Sequence, residues 1–148
     1  MTLSEEIKQK IKDEYASFEE IQYNGKALEE RRVNDQFFTP AELTIQMIEQ
    51  MDNLEGTILD PAMGAGGLIA GCIIAGADPT KCYGIEYDED ILINIARPRL
   101  RKLGVPDSNL HFGNALNPDC YDFGQDYSYY KDNDKVRHKK FSLNRKRG

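Results

Sequence analysis

Apolar residues recur at three- and four-residue intervals through Ile7, Ile11, Tyr15, Phe18 and Ile21 or Gln22, with charged residues between them. This spacing predicts an amphipathic helix over residues 3–22. Asn24-Gly25 supplies its stop. The next segment, KALEERRVNDQ, is polar and ends at the aromatic pair Phe37-Phe38. Thr39 then offers a side-chain cap, Pro40 suits a first helical position, and Glu42 stands three residues after the cap, so a capping box is expected to open a second helix. Leu43, Met47, Ile48 and Met51 would form its buried face, and Gly56 punctuates the end.

Beyond Gly56 short apolar runs alternate with helical spacing. Thr57 to Asp60 reads as a strand, and a glycine-rich loop follows it. An apolar helix from about Gly67 to Ala75 ends at Gly76, and Lys81 to Tyr87 forms a second strand. Asp88 caps a longer helix to about Leu103, with Ile91, Leu92, Ile95, Leu100 and Leu103 apolar. Pro98 lies inside that pattern and should kink the helix or end its regular part. Asn109 to Ala115 reads as a third strand. Strand, helix, strand, helix, strand is the rhythm of a parallel α/β sheet with right-handed crossovers. After Leu116 the period fades into NPDCYDFGQDYSYYKDND, which is acidic and aromatic. The chain therefore divides into an N-terminal helical segment (1–35), an α/β core (36–116) and an acidic-aromatic stretch with a basic tail (117–148).

Composition narrows the class. A length of 148 residues fits one domain, and 40% hydrophobic residues with a mean hydropathy of −0.61 describe a soluble protein. No apolar run reaches the roughly 18 residues of a membrane helix, and the N-terminus MTLSEEIKQK has no signal-peptide block. Cys72, Cys82 and Cys120 match neither a metal pattern nor a disulfide framework, so a reduced, cytoplasmic setting with core-filling thiols and no metal is expected. The net charge of −6 is uneven. Residues 135–148 hold seven Lys/Arg and no acid, leaving 12 basic against 25 acidic residues elsewhere. Such a tail is either a solvated end or a phosphate contact, with DNA one polyanion it could meet, although the acidic body repels nucleic acid at long range.

The candidate chemistry lies in ILDPAMGAGG, residues 58–67. In a doubly wound sheet, ligands bind beyond the carboxyl ends of the strands, where this loop falls. Gly64, Gly66 and Gly67 permit positive φ and close approach of a ligand. The loop is neither GxxxxGK[ST] nor GxGxxG, because an acid, Asp60, precedes the glycines. A carboxylate there suits a cationic ligand better than a pyrophosphate, and S-adenosylmethionine carries a sulfonium and an ammonium. The second strand ends at Glu86, able to accept from both ribose hydroxyls, and Tyr87 beside it offers a flat face to an adenine ring. The third ends in GNAL, placing Asn114 where an amide meets adenine's polar rim.

QFFTP (36–40), ILDPAMGAGG (58–67), GIEYD (84–88) and HFGNAL (111–116) stand in the order found in the adenine-N6 DNA methyltransferases. The chain resembles that family, especially the modification subunits of type I restriction systems and their phage relatives. The resemblance implies a Rossmann-like, three-layer α/β/α fold with a small parallel sheet and N-terminal helices, binding S-adenosylmethionine. It assigns the cofactor's methionine part to Phe38, Thr39 and Pro40, the loop to Asp60, Pro61, Ala62, Gly64 and Gly66, the ribose to Glu86 with Tyr87 beside it, and the adenine to Asn114 and Ala115. Asn114 stands where the family carries an acid. It also implies DNA methylation in the cytoplasm, that of a bacterial host if the chain is phage-encoded.

One part of the family pattern is missing. The tetrapeptide [ND]PP[YF], whose polar groups and aromatic ring hold a flipped base, does not occur, and Asn117-Pro118-Asp119-Cys120 reads as a capped turn. No catalytic residue is therefore assigned. Two functions fit: an adenine-N6 DNA methyltransferase, complete or completed by a partner, and a non-catalytic S-adenosylmethionine-binding module acting as sensor, decoy or regulator. An enzyme cleaving the cofactor is disfavoured, as no acid–base pair suggests it. A small open sheet also invites a second copy or another protein at its edge.

Overall fold

The computed structural model describes residues 1–23 and 38–123. The expected stop at Asn24-Gly25, Phe37 and the basic residues 135–148 lie outside that range. Helix α1 spans Glu5–Tyr23 and helix α2 Ala41–Glu49. Strand β1 (Ile58–Asp60) leads to helix α3 (Gly67–Ile74), and strand β2 (Cys82–Glu86) follows. A broken helix comes next: α4 (Glu89–Ile91), a π turn (Leu92–Ala96) and α5 (Arg97–Arg101). Strand β3 (Leu110–Phe112) completes a parallel sheet in the order β1-β2-β3.

The local signals explain most of these bounds. The Asp88 carboxylate accepts from the N–H groups of Asp90 and Ile91, as an N-cap should. Pro98 offers no N–H and would crowd the carbonyl four residues back. The chain widens just before it, and the Arg97 N–H donates to Leu92 O, five residues back. Gly76 ends α3 region with φ +121°. The strands are shorter than the sequence pattern suggests: Thr57, Lys81, Tyr87, Asn109 and 113–115 make no ladder.

Helix α2 departs from expectation in two ways. Thr39 does not cap it. Pro40 is the last extended residue (φ −70°, ψ 157°), its carbonyl accepts from Thr44 N–H, and no side chain caps the helix. Glu42 reaches outward to Lys12 at 3.3 Å. Second, the helix buries Thr44, Ile45 and Ile48, while Leu43 and Met47 are 46% and 41% exposed. The cause is a buried hydroxyl pair: Tyr15 Oη lies 2.6 Å from Thr44 Oγ1, so threonine serves as a core residue with its polar atom satisfied. Burial also pushes the Tyr15 phenol above its usual range.

Register defines the two faces of the sheet. Ile58 pairs with Cys82, Asp60 with Gly84, and Gly84 with Leu110, so these side chains share a face. That face packs into the main core with Ile11, Tyr15, Ile45, Ile48, Ile69, Leu92 and Leu100. A Cβ on Gly84 would collide with Met63 Sδ, which shows how closely the glycine loop presses on β2. The opposite face carries Leu59, Tyr83, Ile85 and His111. Phe123 stacks on His111 at 4.0 Å between centroids and meets Tyr83 edge-on at 4.9 Å. Leu59 stays 42% exposed. Among the described residues the helices cover one face, and a third layer is not present. Two crossovers stepping in the same direction across the sheet place both helices on one side. No helix among the described residues is long and apolar enough to cross a membrane.

Two predictions follow from this packing. Burial, aided by nearby Arg97, pulls the His111 imidazole down to about 4, against its contacts with the carbonyls of Cys120 and Ser108. The folded protein holds it neutral, whereas the unfolded chain takes up a proton near pH 6.5. Its contribution is thus fully present above pH 6.5 and lost as pH falls toward about 4, by roughly 3 kcal/mol. Urea titrations across that range should show the slope, and His111→Gln should remove it. Gly56 and Gly66 share φ +83°, yet a Cβ on Gly56 meets open space while one on Gly66 lands 2.7 Å from Leu100 Cδ1. Gly56→Ala should cost about 1–2 kcal/mol and Gly66→Ala about 2–5 kcal/mol, and denaturation of both variants isolates the packing term.

Candidate functional site

Asp60 ends β1, half-buried, and its Oδ1 accepts from the Ala62 N–H at 3.1 Å. Burial raises its pKa above the usual carboxylate range, and the Ala62 hydrogen bond opposes the rise. Pro61 and Ala62 stand exposed at the rim, and Met63 turns inward, with its N–H on Ile85 O and its carbonyl accepting from Gly66 N–H at 2.8 Å. Gly64 and Gly66 both have positive φ, +55° and +83°.

The glycines answer different demands. A Cβ on Gly64 would meet only Phe38, at 3.7 Å, so its space opens to the rim. Gly66 gives way to Leu100 of α5, and Gly67 to the Tyr15 hydroxyl of α1. The sequence pattern suggests ligand approach for all three. Whatever Gly66 does toward a ligand, it and Gly67 are also contact points where two helices touch the loop.

The loop is tied to β2 through Glu86. Its Oε1 accepts from Gly64 N–H at 3.0 Å and its Oε2 from Asp88 N–H at 2.6 Å. Each carboxylate oxygen keeps a further lone pair for a hydroxyl. Gly113 N–H donates to Glu86 O, which brings the end of β3 alongside. Asn114 follows, with its Oδ1 accepting from Leu116 N–H at 2.9 Å. Tyr87 is 73% exposed, able to present a ring face. The Ala115 carbonyl accepts from the Tyr121 hydroxyl at 2.8 Å. Phe38 packs edge-on with Phe18 of α1 at 6.3 Å, and Thr39 and Pro40 lie exposed beside it.

Direct contacts thus join Phe38, the 60–66 loop and Glu86. Thr39, Pro40, Tyr87, Asn114 and Ala115 flank them without touching in ways that define a site. The 117–120 stretch is the expected turn: Asn117 Oδ1 accepts from Asp119 N–H, and Pro118–Tyr121 forms a single 3-10 turn. Cys72, behind Asp60, and Cys82 are buried, with thiols pushed up to about 12 and about 11, so they stay protonated and inert. What sequence reasoning missed is Arg99, 7% exposed, whose Nη1 donates to Ala65 O of the loop at 3.3 Å. An arginine in a charged helix reads as surface, and nothing in its local pattern signals otherwise.

No curated relative and no solved structure matches the chain. The model of the family described as N-6 DNA Methylase matches residues 20–92, a span that holds α2, the glycine loop, β2 and Glu86. The acid-first loop and the Glu86 clasp both lie inside that segment, over which the chain is similar to the N-6 DNA methylase family.

Proposed function

We propose that the edge formed by β1, β2 and β3 binds S-adenosylmethionine and that the chain serves methyl transfer to N6 of adenine in DNA. One observation carries this reading: the Glu86 carboxylate holds the Gly64 N–H at 3.0 Å, joining the two acid-bearing strand ends into one pocket wall. The residues fit such a ligand. Gly64 leaves room at the rim, and the wall offers carboxylate acceptors to a molecule carrying hydroxyls and positive charge. Asp60 would face the cationic methionine part, with Phe38, Thr39 and Pro40 closing over it. Glu86 would accept from the ribose hydroxyls. Tyr87 would stack on the adenine, and Asn114 with Ala115 would meet its edge. Bound there, the cofactor supplies an activated methyl group.

Calorimetry with S-adenosylmethionine tests the pocket, and labelled cofactor with mixed DNA tests transfer. Glu86→Ala should weaken cofactor binding by about 1–3 kcal/mol, because hydrogen bonds to a half-buried carboxylate are lost. Wild-type affinity in that variant would remove the site. Transfer of label to DNA favours the enzyme, and binding without transfer favours a donor-binding module. Asp60 makes a second, opposite pair of expectations. A carboxyl with a raised pKa favours the folded state most when protonated, below its unfolded pKa, and that contribution is lost as pH rises through the folded value. Asp60→Asn should therefore raise the melting temperature of the ligand-free protein at neutral pH while weakening cofactor binding. Loss of both stability and affinity would mean a purely structural carboxylate.

A further inference from the structure

We propose that Arg99 is a positioning residue for the glycine loop, setting its ligand-binding shape through the Ala65 carbonyl. The inference rests on reading that loop as the donor site. Arg99 projects from α5 into the space between α1 and the loop, where its side chain is 5% exposed. Its Nε and Nη2 donate to both carboxylate oxygens of Glu14, at 2.6 and 2.9 Å, which neutralises a buried charge. The remaining edge, Nη1, donates to Ala65 O. The plane lies over the Phe18 ring at 3.9 Å and beside Tyr15 at 4.7 Å.

The grip falls on a particular peptide group. The carbonyl of Ala65 and the N–H of Gly66 belong to one peptide plane. Arg99 holds its oxygen, and Met63 O holds its hydrogen at 2.8 Å. On the other side of Ala65, the Gly64 N–H is held by Glu86. The loop crest is thus pinned from the sheet by an acid and from the helices by a base. Both flanking glycines sit at positive φ, where little else resists rotation of the plane. Glu14 and Phe18, both on α1, orient the guanidinium, and Phe18 also touches Phe38 at the rim. Preorganising a loop raises affinity by removing the cost of ordering it on binding. Arg99 touches no ligand position itself, so it acts only through the backbone.

The test compares Arg99→Lys, Glu14→Gln and a control, Ile48→Val, which trims a fully buried residue of α2 away from the loop. Lysine keeps the charge but lacks the planar fork that serves three acceptors. S-adenosylmethionine affinity by calorimetry and amide hydrogen exchange of Gly64 and Gly66 by NMR are both read well below the melting temperature. Arg99→Lys should weaken binding about tenfold and speed exchange at Gly66 while β2 amides keep their protection. Glu14→Gln should move both in the same direction by a smaller amount, and it decides the matter if Arg99→Lys does not fold. Ile48→Val should lower stability and leave affinity unchanged. Wild-type affinity and Gly66 protection in Arg99→Lys would overturn the proposal, as would equal weakening by Ile48→Val. If the wild-type protein binds no donor, the donor reading fails and exchange alone judges the positioning. Faster exchange confined to the loop then sustains it, and unchanged exchange overturns it.

Discussion

Two helices reach the glycine loop at the carboxyl edge of the sheet only because two β-carbons are missing. Leu100 of α5 occupies the space a side chain on Gly66 would need, and the Tyr15 hydroxyl of α1 occupies that of Gly67. A third close approach, Thr44 against Gly71, seats α2 on α3. These contacts bring α1, α2 and α5 into one core with the sheet. Interiors packed at crystal-like density transmit such constraints directly, so the loop's shape and the helical packing are one problem.

Electrostatics follows from that packing. With α1 against the loop, Glu14 and Arg99 meet in a space nearly closed to water, as a two-point pair with its third donor on the loop. At the rim, Glu86 keeps one oxygen on each of the loops after β1 and β2. The loops after β1 and β2 are therefore held by side chains at several points, through the N–H groups of Ala62, Gly64 and Asp88. Burial leaves Asp60 with a raised pKa, opposed by the Ala62 N–H.

The order of elements and the chemistry of the strand ends were legible in the chain. The period of Ile7, Ile11, Tyr15 and Phe18 marks a helix that buries Ile11 and Tyr15 and half-buries Ile7 and Phe18, while Ile21 at its end stays exposed, and Asp88 caps as its type and place suggest. Pro98 disturbs its helix as a π turn, since a missing N–H is a local fact. The acid-first loop and Glu86 converge because they end adjacent parallel strands. Illegible were the buried face of α2 and the role of Arg99. Leu43 and Met47 look more buried than Thr44, and Arg99 looks solvated.

Sequence alone determined the local periods, the turns and the residues delivered to one edge of the sheet, because those depend on neighbours a few positions away. Only the tertiary structure decided which polar groups go inside, because a buried hydroxyl or guanidinium is tolerable only with its partner. Thr44 finds Tyr15 across 29 positions, and Arg99 finds Glu14 across 85. Pairings over that distance leave no period in the chain and exist only once the helices have closed on the loop.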